Sequence, residues 1–112
     1  MSNIKFKNEH DLQCMCVAIL RKKNIFHYAV PNGGFRGSVE AHRLKQEGVR
    51  AGVADLVIWF GSVVVYVEFK TEKGVLSPAQ IDFSRQCTAR GFPYYTVRSL
   101  DDFMDVLETY DL

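Results

Sequence analysis

The chain has 112 residues, 47% hydrophobic and 24% charged, the composition of one globular domain and not of a disordered or fibrous chain. Fourteen Lys and Arg against thirteen Asp and Glu leave a net charge of +1, which argues against an overtly basic nucleic-acid binder. The average conceals a split, because residues 1–50 carry nine basic and four acidic residues whereas residues 51–112 carry five and nine.

Asn8 is a good helix N-cap, with Glu9 and Asp11 in the first turn where the helix dipole favours acids. Leu12, Cys16, Ile19 and Leu20 recur at helical spacing, and Arg21, Lys22 and Lys23 suit the helix end. Residues 25–30 read as a strand closed by the turn-forming Pro31, Asn32, Gly33 and Gly34. Ser38 is placed to cap a second helix to about Gln46, with Gly48 as its stop. Two apolar, β-branched and aromatic runs, Leu56–Phe60 and Val63–Phe69, flank Gly61 and Ser62, which is a hairpin signal. Their apolar residues are consecutive, so both sheet faces are expected to be covered, with Trp59 and most Phe in the core. Ser77, Pro78 and Gln80 form a capping-box start for a third helix that Gly91 stops near Arg90. Tyr94–Val97 is the last strand, and Ser99 opens a terminal helix with Phe103, Val106 and Leu107 facing inward.

The order α-β-α-β-β-α-β-α predicts an α/β (mixed α+β) fold: a mixed four-stranded sheet flanked by helices, its last strand parallel to the second hairpin strand. Cys14, Cys16 and Cys87 are odd in number and lack C-x-x-C spacing, so neither a disulfide framework nor a zinc site is expected. Cys14 and Cys16 are expected to pack on their helix. The N-terminal residues carry no apolar signal core, and no run is long enough to span a membrane, so a cytoplasmic location is expected.

With Gly61-Ser62 as the loop, Phe60 faces Val63 and Asp55 falls directly across from Glu68. Glu68 and Lys70 share a face while Phe69 points the other way. Two facing acids at the end of an apolar hairpin destabilise it unless something offsets their charge, and a hard divalent cation is the natural candidate. Lys70 could then orient or deprotonate an attacking water, or stabilise charge on a phosphate. The bland alternative is that Lys70 pairs with either acid at a solvated sheet end. The matched register and the apolar flanks favour the metal site.

Glu9 is either a first-turn acid with a purely helical role or a carboxylate aimed at the sheet, and position alone does not separate the two. Gln80 taken alone is a capping-box residue. The Asn32, Gly33, Gly34 and Arg36 loop, followed by Arg43, Lys45 and Arg50, is a plausible phosphate-binding surface, the alternative being a turn and a solvated helix face. His10, His27 and His42 show no ligand spacing. Tyr94 and Tyr95 read as strand residues, either of which could stack a base.

Glu9 with Leu12-Gln13, Pro31-Asn32-Gly33-Gly34, Arg36, the run from Gly48 to Leu56, Glu68-Phe69-Lys70, Gly74, Leu76-Ser77 and Gln80 together resemble the VRR-NUC (virus-type replication-repair nuclease) domain. That family falls within the PD-(D/E)xK nucleases, and the resemblance spans residues 9–100. It implies a restriction-endonuclease-like core and Mg²⁺ or Mn²⁺ held by Asp55, Glu68, the Phe69 carbonyl and Glu9. It further implies that Lys70 positions the attacking water and that Gln80 belongs to the active site. Ala54 stands where the superfamily motif has Pro, a position that shapes the chain and performs no chemistry.

The lack of any other domain resembles the stand-alone bacteriophage members, which are similar to Holliday-junction resolvases. A homodimer acting on branched DNA is therefore expected, with no small-molecule cofactor; Phe6, Phe35 and Val39 are candidates for its interface. The rival readings are a less selective DNase, a non-catalytic DNA-binding module, or an interaction protein whose acids are only structural. The near-neutral charge then predicts weak DNA binding without metal and a marked salt dependence.

Overall fold

A computed structural model describes residues 5–31 and 37–110. The elements are α1 (Glu9–Lys22), β1 (His27–Ala29), α2 (Ser38–Gln46), β2 (Leu56–Phe60), β3 (Val63–Phe69), α3 (Pro78–Arg90), β4 (Tyr94–Val97) and α4 (Leu100–Tyr110). The expected order is present. The sheet runs β1-β2-β3-β4, with β1/β2 and β2/β3 antiparallel and β3/β4 parallel.

Local chemistry accounts for the ends. The Asn8 side chain accepts the Asp11 N–H at 2.8 Å and starts α1. Asn24, at φ 59°, turns the chain out of it. Ser77 and Gln80 close a reciprocal capping box on α3, and Gly91 ends that helix at φ 79°. Two boundaries differ from expectation. The first strand is three residues long, yet its pairing continues at both ends through Trp59 N–H to the Phe26 carbonyl and Val30 N–H to the Asp55 carbonyl, both 2.9 Å. Ser38 is already helical in α2, whose N-cap is Gly37 and makes no side-chain bond.

The core occupies one face of the sheet. Leu56 and Ile58 of β2, Val65, Val67 and Phe69 of β3, and Val97 of β4 are buried there. They pack with Leu12, Cys16 and Leu20 of α1 and Phe103, Val106 and Leu107 of α4. The other face is covered only in part, by α3, where Phe83 packs edge-on against Tyr66 with ring centroids 5.5 Å apart. The expectation of two covered faces therefore holds at Val57, which is buried, and fails at β1 and at the Trp59 end of β2. Trp59 is 45% exposed and clusters with the exposed Phe26 and Tyr28, its centroid 4.4 Å from Phe26. Consecutive apolar residues place both faces out of water only where a helix reaches, and α3 reaches β3 and β4.

Cys16 is fully buried, and burial pushes its thiol up to about 12. Cys14, in contrast, is exposed with its sulfur 3.5 Å from His10 Nε2, so it is not the packing residue expected. Among the described residues no helix is long and apolar enough to cross a membrane.

Candidate active site

The hairpin register is as expected: Phe60 pairs with Val63 and Leu56 with Val67. One step further on stand Asp55 and Glu68. Asp55 is fixed through its main chain to Val30 and through Oδ2, which accepts the Phe69 N–H at 2.8 Å. Phe69 thereby locks the acid with its backbone while its ring is buried on the opposite face.

Glu68 is 1% exposed, a position that carboxylates occupy rarely unless partnered. Its Oε2 accepts a hydrogen bond from Gln80 Nε2 at 3.0 Å, while Oε1 is buried with no hydrogen-bond partner. Burial first, and then the neighbouring Asp55 carboxyl, raise its pKa from 4.5 to about 9, with Glu9 acting in the same direction and Lys70 against it. In the absence of another cation, burial beside Asp55 thus favours the protonated form of Glu68.

Gln80 closes the cap and also contacts Glu68. Its Oε1 accepts the Ser77 N–H at 2.8 Å, and its Nε2 donates to Glu68. A Glu at this position would serve the cap but not the donor.

The Lys70 side chain is 11% exposed, with Nζ 3.9 Å from Glu9 Oε2. Glu9 is thus aimed at the site, but through Lys70. Among the described residues no three His, Cys, Asp or Glu side chains gather into a ready metal-binding set. The donors on hand are the Asp55 and Glu68 carboxylates, and they fit a hard cation that keeps several of its waters. The unpartnered Glu68 oxygen is the observation behind that fit, because a buried acceptor left alone costs about 1–3 kcal/mol.

Three positioning features had little sequence signal. Gly52 has φ +81°, and a Cβ there would lie 2.3 Å from the Ala79 carbonyl carbon and 2.7 Å from Gln80 N. The chain entering Asp55 therefore lies directly on the first turn of α3, which brings Gln80 to Glu68. Arg98 Nη1 donates to the carbonyls of Thr71, Glu72 and Gly74 at 3.0, 3.4 and 2.6 Å and holds the turn that follows Lys70. The Tyr94 hydroxyl is buried, and burial with the nearby Glu68 carboxyl raises it to about 12.

Of the expected phosphate-binding residues, the structure describes Arg43, Lys45 and Arg50. Asn32, Gly33, Gly34 and Arg36 lie outside the described residues, as does Phe35. Arg43 is exposed on α2 and sits 4.0 Å from Glu47, Lys45 is exposed on the same helix, and Arg50 Nη2 is held by Asp82 at 3.1 Å. Phe6, proposed for an interface, packs against the core, whereas Val39 is 82% exposed.

A family model described as the VRR-NUC domain matches residues 5–101. A solved structure described as a VRR-NUC domain protein is similar at 19% identity and TM-score 0.77, covering 96% of this chain and 91% of that one. Another, described as a VRR-NUC domain, is similar at 20% identity and TM-score 0.66, covering 91% and 96%. No curated protein matches the chain.

Proposed function

The chain belongs to the VRR-NUC domain family, a nuclease-type family whose substrate class is DNA, and from that premise we propose that it is a metal-dependent endonuclease hydrolysing DNA phosphodiesters. The observation that carries the reading is the buried Glu68 beside Asp55, with one oxygen unpartnered and Lys70 at hand. Asp55, Glu68 and the Phe69 carbonyl would hold Mg²⁺ or Mn²⁺, with Glu9 contributing from beyond Lys70. When bound, the ion supplies Lewis-acid polarisation and charge neutralisation at the phosphate.

The chain's own groups do the rest. Gln80 fixes the Glu68 carboxyl, and the Phe69 N–H fixes that of Asp55. The Lys70 ammonium, nearly enclosed, orients the attacking water or stabilises charge developing on the phosphate. Branched DNA is the proposed substrate, cut by a homodimer in the manner of a junction resolvase, since two-fold symmetry presents two sites for paired incisions. The exposed helix α2, with Val39, is the proposed dimer surface. A cytoplasmic location is part of the same reading.

A cleavage panel of junction, flap, duplex and single-stranded DNA in Mg²⁺ and Mn²⁺ tests it. Wild type should nick four-way junctions symmetrically, and Lys70→Ala should lose cleavage by at least about a hundredfold while still binding DNA. Absence of cutting on every substrate would sink the enzyme reading, and equal cutting of plain duplex would sink the junction selectivity. Calorimetric Mg²⁺ or Mn²⁺ binding that disappears in Asp55→Asn distinguishes the enzyme from a protein whose acids are only structural.

A further inference from the structure

A cavity of about 290 Å³ lies beside β3 and α3, lined by residues of both elements. Tyr66, Phe83 and Phe92 form its aromatic walls, and Arg50, Arg90 and Gln86 its polar lining. Tyr66 precedes Glu68 by two residues on the same strand face, about 7 Å along the strand. Phe83 follows Gln80 by three on the same face of α3. The cavity's Tyr66 and Phe83 are therefore one same-face step along β3 and α3 from the Glu68–Gln80 hydrogen bond, a distance comparable with the step between neighbouring phosphates of a nucleic-acid strand.

The rings meet edge to face, Tyr66–Phe83 at 82° and Tyr66–Phe92 at 80°. The rings are in contact with one another, so no base fits between them, and the half-exposed Phe92 is the ring a planar guest can reach. Both arginines are held in place. Arg50 is held by Asp82, and Arg90 by the Gln86 side chain and by its carbonyl at 3.2 Å. A guanidinium has five N–H donors, more than these contacts use, and it recognises phosphate oxygens and base edges alike. Aromatic walls that stack a ring, together with guanidiniums for the backbone, are the combination that single-stranded nucleic acid needs.

Resting on the nuclease reading, we propose that this cavity takes one unstacked nucleobase of the substrate, that of the nucleotide next to the phosphate being cut, against the Phe92 ring of its aromatic wall, with Arg50 and Arg90 on its backbone. The site then requires a nucleotide that can leave its duplex neighbours, as nucleotides at branches and single-stranded ends can.

The experiment walks an abasic site, and separately a fluorescent adenine analogue, through each position around the cut. One abasic position should lower wild-type kcat/KM at least about fivefold, mainly through KM. Phe92→Ala, at a 47% exposed position, should show the same loss on intact DNA and no further loss on that abasic substrate. Phe92→Tyr, which keeps the ring, should behave as wild type. In EDTA, the analogue at that same position should be quenched by wild type and not by Phe92→Ala. Cleavage that is indifferent to every abasic position, or Phe92→Ala losing equally on intact and abasic DNA, overturns the base pocket and leaves the nuclease reading intact. Position-specific quenching by a protein that cuts nothing overturns the nuclease reading alone; neither quenching nor cleavage overturns both.

Discussion

At the scale of single residues, the proposed chemistry turns on Glu68 and Gln80. The metal-free folded protein holds the Glu68 proton to higher pH than the unfolded chain does, because burial beside Asp55 raises the folded value from 4.5 to about 9. The sign follows directly: the contribution is complete below the ordinary value and is lost as pH rises through the folded one. Urea unfolding in EDTA should therefore give a stability that declines steadily from about pH 5 to about pH 9, and Glu68→Gln should flatten that decline. A profile in Glu68→Gln as steep as wild type would show that the slope belongs elsewhere. Gln80 separates its two duties by substitution. Gln80→Ala removes the cap partner and the Glu68 donor and should cost about 1–2 kcal/mol. Gln80→Glu keeps the acceptor for the Ser77 N–H but sets a carboxylate against Glu68, so cleavage should fall even where urea unfolding shows that α3 has survived.

At the scale of elements, the site is where a hairpin end, a helix start and a glycine meet. Gly52→Ala combines a left-handed φ with a Cβ that would lie 2.3 Å from the Ala79 carbonyl carbon. Neither backbone yields cheaply, so thermal unfolding should register roughly 1–3 kcal/mol of destabilisation and cleavage should drop further as Gln80 moves off Glu68. Much of this assembly was legible in the sequence. The turn Gly61-Ser62 fixed the register, the register set Asp55 beside Glu68, and Ser77-Pro78 marked the helix that delivers Gln80. What escaped was tertiary: nothing in the run from Gly48 to Leu56 says that Gly52 touches Ala79, and nothing near Arg98 says that it caps the carbonyls after Lys70. The placement of Trp59 failed for the same reason, since a strand pattern records which face a residue takes and not whether a helix covers that face.

Across the whole molecule, the charge split between the two halves is partly neutralised on folding. Lys5 of the first half meets Glu72 of the second at 3.4 Å, and Arg50 meets Asp82 at 3.1 Å. The basic surface is thus smaller than the sequence arithmetic suggested, with Arg43 and Lys45 displayed on α2. That helix buries no residue, and Val39 is 82% exposed. A helix of nine residues is marginal without packing. If α2 is the proposed dimer surface, hydrogen exchange of its amides should slow as protein concentration rises, while exchange in the core helix α1 stays unchanged. Exchange in α2 that is independent of concentration would remove it from the interface.

The half-exposed Trp59 has a practical consequence. It is the one tryptophan in the chain and lies on the uncovered part of the sheet, its centroid 4.4 Å from Phe26 and 6.4 Å from Tyr28. The intrinsic fluorescence of this protein therefore reports on the β1–β2 border and not on the core under α1 and α4. An aqueous quencher will reach the indole in the native state, and an emission change on adding DNA or a second protomer is a signal of surface coverage before it is a signal of unfolding.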